Sequence, residues 1–267
     1  YDPPQAFWDM YADREQDPVP VGEWASKYDA PGPGLAVTAW HGRLTPEQTR
    51  RMRAAYMGLI THVDYQFGYL LEELRRQGVA RNTLFVYTSD HGDMMGDHHL
   101  HRKTYAYEGS ARVPFVIGYP QGYTGPTGRC EKVVGLQDVM PTILEVAGVE
   151  GPAGMTGRSV LAAARGAEWR TFLHGEHSPC YALEPAMHYL TDGRYKYIWF
   201  PATGEEQCFD LVADPTELVD LAAHPERRDE VAEWRRRLVG VLAERGDGFS
   251  DGKVLVPRRE WWPPEVG

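Results

Sequence analysis

The sequence predicts an α/β protein in which part of a doubly wound, mostly parallel sheet flanked by helices is joined to a small C-terminal α+β subdomain. A long helical pattern at residues 45–77 leads into residues 83–88, a nearly continuous apolar run typical of a strand buried on both faces. Later in the chain, short alternating segments replace this pattern and indicate an antiparallel sheet. We therefore expect a core portion at residues 1–165 and a subdomain at residues 166–267.

The first long helix has a clear start, an apolar stripe and a clear end. Thr45, Pro46 and Gln48 supply an N-cap, a proline at the first helical position and a capping-box partner. Gly78 supplies the stop. The apolar residues that share helical spacing are Met52, Tyr56, Leu59, Ile60, Val63, Phe67, Leu70, Leu71 and Leu74.

The remaining elements follow from shorter patterns. Two further strands are predicted in the core portion, a helix follows them, and a Gly/Pro-rich stretch at residues 151–157 marks the boundary. In the subdomain, Asp192-Gly193 is a hairpin-turn signal between two strands. The predicted core elements are strands at 113–118 and 132–134 and a helix at 139–147. The predicted subdomain elements are strands at 171–175, 187–191, 195–200 and 207–211, and a helix at 225–245 that buries Val231, Trp234, Leu238 and either Val241 or Leu242.

Composition narrows the classes of protein. The chain has 28 Lys and Arg residues against 38 Asp and Glu residues, and the net charge of −10 argues against a nucleic-acid binder. No apolar run approaches the roughly 18 residues that a membrane span needs. Cys130, Cys180 and Cys208 are sparse and odd in number, so we interpret them as partly buried thiols, although export would allow one bridge. This cysteine usage favours the cytoplasm over the periplasm or secretion.

The strongest chemical feature is Asp90-His91-Gly92-Asp93 at the end of the predicted buried strand. Ligands of open parallel sheets gather at the carboxyl ends of strands. Gly92 lets the chain turn at once, so the side chains of Asp90 and His91 could converge on one divalent ion. The alternative is a polar turn that caps the strand.

The following loop carries three more histidines and a lysine. Hydrogen bonding to loop carbonyls is the simpler interpretation for His98 and His99. Lys103 is a flexible ammonium that could neutralise a tetrahedral oxyanion such as sulfate or phosphate, or it is a surface lysine. We assign Lys103 and His101 to substrate binding, with Lys103 also catalytic.

An ordered set of motifs resembles the sulfatase signature, of arylsulfatase and choline-sulfatase type, within the alkaline phosphatase superfamily. The signature comprises TSDHGDMMGDH at residues 88–98, then Lys103, Tyr107-Glu108 and Arg112-Val113-Pro114-Phe115. Flanking segments resemble the same family in the same order. They are residues 56–74, residues 138–144 with Ala147-Gly148, residues 192–197, and residues 209–211 with Asp214-Pro215. The similarity covers nearly the whole chain.

The resemblance implies metal-dependent hydrolysis of sulfate monoesters. Asp90 and His91 would be two ligands of a single divalent ion, with calcium the first choice and manganese or magnesium the alternatives. Lys103 would contact the sulfate or the leaving-group oxygen. The resemblance also places His188 near the mouth of the active site, so we assign His188 to substrate binding, with a hydrogen-bonded residue at a strand end as the alternative. Many sulfatases have Asn at the position of His91, and the His form is similar to choline-sulfatase-like and phosphonate-monoester-hydrolase-like members. A phosphonate monoester or phosphodiester hydrolase is therefore the first alternative.

The resemblance covers the later half of a sulfatase. The family makes formylglycine in a C/S-x-P-x-R-like motif, and none of the three cysteines is followed by that pattern. We expect formylglycine upstream of this chain, which begins in mid-loop at Tyr1. The missing N-terminal half would then be a partner, this chain alone would be inactive, and a non-catalytic, metal-holding fragment is the second alternative. Trp261 and Trp262 near the end suggest packing on another part of the protein or on a second subunit.

Overall fold

The computed structural model describes residues 1–32, 37, 40–179 and 182–260, which form six α-helices and two antiparallel sheets. Cys180, Trp261 and Trp262 lie outside these residues. The helices are α1 (Gln5–Trp8), α2 (Pro46–Arg76), α3 (Glu108–Ala111), α4 (Val139–Ala147), α5 (Val160–Ala164) and α6 (Arg228–Arg245). The strands are β1 (Phe85–Thr88), β2 (Phe115–Gly118), β3 (Leu173–His177), β4 (Met187–Thr191), β5 (Tyr195–Trp199) and β6 (Glu206–Asp210).

Helix α2 begins with the predicted capping box. The backbone N–H of Gln48 donates to the Thr45 hydroxyl at 3.2 Å, and the backbone N–H of Thr45 donates to the Gln48 side chain at 2.9 Å. Gly78, just beyond the helix end, has φ +74°. These contacts satisfy backbone donors that a helix start would leave without partners, so the predicted start is confirmed.

The apolar stripe of α2 is only partly covered. Gly58 lets the helix approach α1 closely, because a Cβ there would lie 3.1 Å from the Phe7 carbonyl oxygen. Farther along, Ile60, Val63 and Leu70 are more than half exposed. Phe67 of the same stripe contacts the rings of Phe85 and Tyr87 in β1, so the amphipathic pattern is confirmed for part of the stripe only.

Strands β1 and β2 pair antiparallel, with Phe85 opposite Gly118 and Thr88 opposite Phe115. The predicted parallel arrangement is therefore wrong for this pair, and the described ranges contain no parallel pair. A parallel pair needs a crossover that carries the chain back to the starting end of the first strand. Here the connection doubles back at the end where β1 stops.

Residues 132–134, predicted as a strand, form irregular loop. The backbone carbonyl of Val133 accepts a hydrogen bond at 2.7 Å from the Trp169 indole N–H. The Trp169 side chain thus satisfies a backbone carbonyl that a neighbouring strand would otherwise pair with. Cys208 is a buried free thiol as predicted, whereas Cys130 is free but exposed because it lies in this outer loop.

The C-terminal sheet has the predicted antiparallel topology, in the order β3-β4-β5-β6. The Asp192 carboxylate accepts hydrogen bonds from the backbone N–H groups of Arg194 and Tyr195, and Gly193 adopts φ +90°. These interactions form the predicted hairpin turn between β4 and β5. The division of the chain at residues 165 and 166 stays a prediction.

Both faces of this sheet are covered. Helix α6 covers one face and follows a 3-10 turn at Pro225–Arg227, so it starts later than predicted. Leu242, rather than the less buried Val241, completes its apolar stripe. The loop that follows β1 covers the opposite face. Its contacts there come from Met94, Leu100, Tyr105, Ala106 and Tyr107 against Met187, Ile198, Phe200 and Phe209. The core therefore surrounds this sheet and fixes the histidine-rich loop on it.

No helix in the described part of the chain is both long enough and apolar enough to span a bilayer.

Candidate metal and oxyanion site

The chain turns sharply at Gly92, directly after β1. Its backbone N–H donates to the carbonyl of Ser110 at 2.7 Å. A Cβ at this position would lie 2.2 Å from the carbonyl oxygen of Gly109, a contact that no relaxed structure tolerates. Glycine is therefore required here because the backbone of α3 passes against the turn. This close approach holds Asp90 and His91 at the end of the strand.

His91 is oriented through both ring nitrogens. Its Nδ1 lies 2.7 Å from the Gly92 carbonyl oxygen, which can only accept a hydrogen bond, so Nδ1 carries the proton. Nε2 is then a lone-pair atom, 2.8 Å from the Lys103 ammonium and 3.3 Å from an Asp90 carboxylate oxygen. A carbonyl partner on one imidazole nitrogen is the usual way in which proteins orient the other nitrogen towards a metal.

The Asp90 carboxylate is 82% exposed and faces solvent in the cleft. Desolvation is the largest single effect and raises the pKa of Asp90, but electrostatic interactions with His91 and Lys103 and the hydrogen bond from the His91 backbone N–H together hold this pKa below its usual range. Asp90 is thus ionised at neutral pH. It offers oxygen atoms beside the His91 lone pair.

The loop that carries Lys103 is organised by Asp93. One Asp93 carboxylate oxygen accepts hydrogen bonds from the backbone N–H groups of Met95 and Arg102, each at 3.0 Å, and the other accepts from the Tyr1 hydroxyl. The Arg102 guanidinium lies 4.2 Å from the centre of the Tyr1 ring. Asp93 therefore positions the loop with its side chain, whereas Asp90 and His91 present theirs to the cleft.

Backbone strain flanks Lys103 on both sides. Arg102 and Thr104 have φ of +64° and +97°, a region that non-glycine residues seldom adopt. Such conformations persist only where surrounding contacts impose them, here the Asp93 hydrogen bonds and the packing of Tyr105 against the sheet. The Lys103 ammonium is consequently aimed at His91.

A cleft of about 1180 Å³ joins these residues to the C-terminal sheet. Asp90, His91 and Lys103 line it together with His177 at the end of β3. Burial lowers the pKa of His177, and the nearby Lys103 charge lowers it further. His177 is close to His174 and Glu176 in the sequence, but strand alternation puts its side chain on the opposite face of β3 from theirs. The period of two in β3 was the signal that could have separated them.

The other histidines of the loop are held by protein groups. His98 is buried and accepts a hydrogen bond from the backbone N–H of Gly22 at 3.2 Å, so this partner is a backbone donor outside the loop rather than the predicted loop carbonyl. His99 lies 3.2 Å from an Asp29 carboxylate oxygen. His101 is buried, its Nε2 lies 3.1 Å from the Gly42 carbonyl oxygen, and its ring contacts Trp40.

His188 lies on the face of the sheet that α6 covers. It is buried between the rings of Trp199 and Phe249, with ring centroids 5.9 and 4.7 Å away. The structure thus brings Asp90, His91 and Lys103 together and places His188 across the sheet from them. Substrate binding by His101 and His188 stays a prediction, and the proposal below does not depend on it.

The protein is therefore an α/β protein with a polar cleft at the end of a strand. The carboxylate, the imidazole lone pair and the ammonium in this cleft suit a metal cation with an anion beside it. Family comparison gives the particular family. The sulfatase family model matches residues 4–149, and the model for the C-terminal region of N-sulphoglucosamine sulphohydrolase matches residues 96–244. The chain belongs to the sulfatase family, as its motifs predicted.

Individual relatives agree with this assignment. An arylsulfatase of Clostridium perfringens is 40% identical over 96% of this chain and 53% of its own length. A choline-sulfatase of Rhizobium meliloti is 34% identical over 82% of this chain and 43% of its own. The crystal structure of a phosphonate monoester hydrolase of Agrobacterium radiobacter superposes with a TM-score of 0.64 and 28% identity, covering 81% of this chain and 47% of that one. The chain spans about half the length of the curated relatives it matches.

Proposed function

We propose that the protein to which this chain contributes hydrolyses sulfate monoesters, and that this chain supplies part of its metal and oxyanion site. The observation that carries the proposal is the orientation of His91. Its proton is fixed on Nδ1 by the Gly92 carbonyl, and its Nε2 lone pair lies within 3.3 Å of both Asp90 and Lys103. The similarity to an arylsulfatase and a choline-sulfatase supports sulfate esters as the substrate class.

The residues present fit a divalent ion. Asp90 would provide carboxylate oxygen and His91 would provide Nε2, the atom that its hydrogen bonding leaves unprotonated. We propose calcium, with manganese or magnesium as alternatives, because carboxylate oxygen suits all three ions. When bound, the ion would polarise an anionic oxygen of the ester. Formylglycine is proposed to come from outside this chain.

Lys103 would bind the anion directly. Its ammonium has three donors, and a tetrahedral anion in the cleft offers several acceptors beside His91. A fixed cation of this kind stabilises charge that develops on the non-bridging or leaving-group oxygens. We propose that Lys103 is catalytic in this sense and that His177, on the opposite wall of the cleft, borders the same anion.

The test compares variants of the full protein with an aryl sulfate as substrate. Lys103→Ala should lower kcat/KM by about 10²- to 10³-fold, the loss found when a single preorganised donor is removed. Lys253→Ala is the matched control, because Lys253 is an exposed lysine outside the cleft. A Lys103→Ala enzyme with the activity of the Lys253→Ala enzyme would overturn the proposed role.

The second candidate is hydrolysis of phosphonate monoesters or phosphodiesters on the same scaffold. The phosphonate monoester hydrolase structure, 28% identical to this chain, is the observation that favours it. Turnover of an aryl sulfate, an aryl phosphonate monoester and an aryl phosphodiester by the same preparation separates the candidates. Faster turnover of either phosphorus ester would replace the sulfatase proposal.

A third arrangement concerns the chain on its own. We propose that residues 1–267 hold a metal without turning over sulfate esters, and that the N-terminal half of the protein completes the site. Turnover by the isolated chain at the rate of the full protein would contradict this.

A further inference from the structure

A second cluster of metal-binding side chains lies on the face of the C-terminal sheet away from Lys103. His174 and Glu176 of β3 lie on this face, and His188 pairs directly with Glu176 from β4. One ligand atom from each of the three residues lies within 4.8 Å of the others. His174 and Glu176 border the same cleft as Asp90 and His91, but strand alternation places their side chains on the opposite face of the sheet from the His177 side chain.

The spacing of the ligand atoms matches a tetrahedral ion. Nδ1 of His188 lies 3.3 Å from Nε2 of His174 and 3.3 Å from a carboxylate oxygen of Glu176. Zinc–nitrogen bonds are about 2.05 Å long, so two ligand atoms on a tetrahedral zinc ion are about 3.3 Å apart. Two edges of the coordination tetrahedron are therefore already set by the protein.

Arg245, at the end of α6, holds both oxygens of the Glu176 carboxylate. Its Nη1 donates to Oε2 at 2.6 Å, the oxygen that lies 3.3 Å from His188, and its Nη2 donates to Oε1 at 3.3 Å. Its Nε lies 2.9 Å from an Asp247 carboxylate oxygen, so Arg245 shares its single charge between two carboxylates. An ionised carboxylate has about four lone-pair sites, so Oε2 can accept from Arg245 and still bind a metal, with Arg245 as the outer partner of the ligand.

We propose that His174, Glu176 and His188 form a zinc site that fastens the edge strand β3 to β4, with a water molecule as the fourth ligand. Two nitrogen ligands and one carboxylate favour zinc over calcium or magnesium, which prefer all-oxygen sites. His188 supplies the rigid part of the site, because Trp199 and Phe249 hold its ring.

The experiment uses the full protein carrying Asp90→Ala and His91→Ala, which removes the two proposed ligands of the cleft site from the measurement. Zinc binding is followed by calorimetry, and cobalt is added as a probe whose visible absorption reports tetrahedral coordination. We expect one equivalent of zinc and a tetrahedral cobalt spectrum. Addition of His174→Ala or Glu176→Gln should weaken zinc binding by more than about 100-fold, because loss of a ligand exceeds the loss caused by an outer partner.

The matched control is His224→Ala in the same background. His224 also lies beside a carboxylate, Glu226 at 3.2 Å, but this exposed pair has only two potential ligands. The His224→Ala variant should bind zinc with the same affinity as the parent, the full protein that carries only the two cleft substitutions. His174 and Glu176 are chosen over the buried His188 so that the variants fold, which far-UV circular dichroism verifies for each. Absence of zinc binding in the parent, or equal affinity in all three variants, would overturn the proposal.

Discussion

Lys196 is a buried lysine whose replacement gives a sharp test of how the structure is held together. Its ammonium lies 2.7 Å from Glu108 and 3.0 Å from Glu217. Lys196 is 1% exposed and Glu217 is 2% exposed. The second Glu217 oxygen accepts a hydrogen bond from the Glu108 backbone N–H at 2.8 Å. These contacts join β5 to the start of α3, just beyond the loop that carries Lys103.

Lys196→Met should destabilise the protein by about 3–5 kcal/mol at neutral pH, the cost of leaving a buried charge without its partner. Burial already raises the pKa of Glu217, with Lys196 acting against the increase. Without Lys196, that pKa rises further. A carboxyl group with a raised folded-state pKa stabilises the fold at low pH and loses that contribution as the pH rises through the folded pKa. The decrease in the free energy of unfolding caused by Lys196→Met should therefore be smallest near pH 4 and largest near pH 7.

The assay is urea unfolding followed by tryptophan fluorescence at both pH values. Lys27→Met is the matched control, since Lys27 forms an exposed pair with Glu205 and should cost about 0.2–1 kcal/mol. The triple variant Lys196→Met, Glu108→Gln, Glu217→Gln should recover at least half of the loss, because no uncompensated charge remains. A Lys196→Met loss below about 1 kcal/mol at pH 7, or one that does not vary with pH, would refute the reasoning.

Three further predictions follow from single positions. Gly92→Ala should lower activity more than tenfold, since the added Cβ would lie 2.2 Å from the Gly109 carbonyl oxygen. The control is Gly122→Ala, at an open loop position. Equal activity of the two variants would contradict the prediction. Arg170→Ala should cost about 3–5 kcal/mol in urea unfolding, because the fully buried Asp138 loses its guanidinium partner; a loss within about 0.5 kcal/mol would contradict it. Burial lowers the pKa of His98 to about 4. Stability should therefore fall by about 2–3 kcal/mol from pH 7 to pH 4 as the unfolded state takes up the proton, and His98→Gln should flatten this dependence. An unchanged pH profile in His98→Gln would exclude His98 as its source.

The elements that the sequence predicted well are those whose signals are local. The capping box at Thr45 and the turn at Asp192 each involve residues within three positions of one another, so the sequence displays the whole interaction. The stripe of α6 is likewise set by helical spacing, and Val231, Trp234 and Leu238 are buried as predicted. The Asp90 and His91 pair was found for the same reason, since one turn brings both side chains together.

The features that the sequence did not reveal depend on contacts between distant segments. The direction of β2 relative to β1 is decided by the path of the connection, which no local pattern encodes. Lys196 reads as a polar residue in an alternating strand, and only the approach of Glu108 and Glu217 explains its burial. Asp93 belongs to the same motif as Asp90, and the sequence does not show that the two carboxylates differ. The Asp93 carboxylate accepts hydrogen bonds from the backbone N–H groups of the loop that carries Lys103.

Strand β3 shows how one short segment can serve two sites. His174, Glu176 and His177 all border the cleft. The His177 side chain lies on the same face as Lys103, whereas the side chains of His174 and Glu176 lie on the face covered by α6. Gly175 between them has no room for a side chain, because a Cβ there would lie 2.2 Å from the Tyr189 ring on β4. A one-residue slip of β3 would move each histidine to the wrong face and bring a side chain against Tyr189. The pairing with β4 therefore determines at once which histidine borders the proposed anion site and which ligands are left for the proposed zinc site.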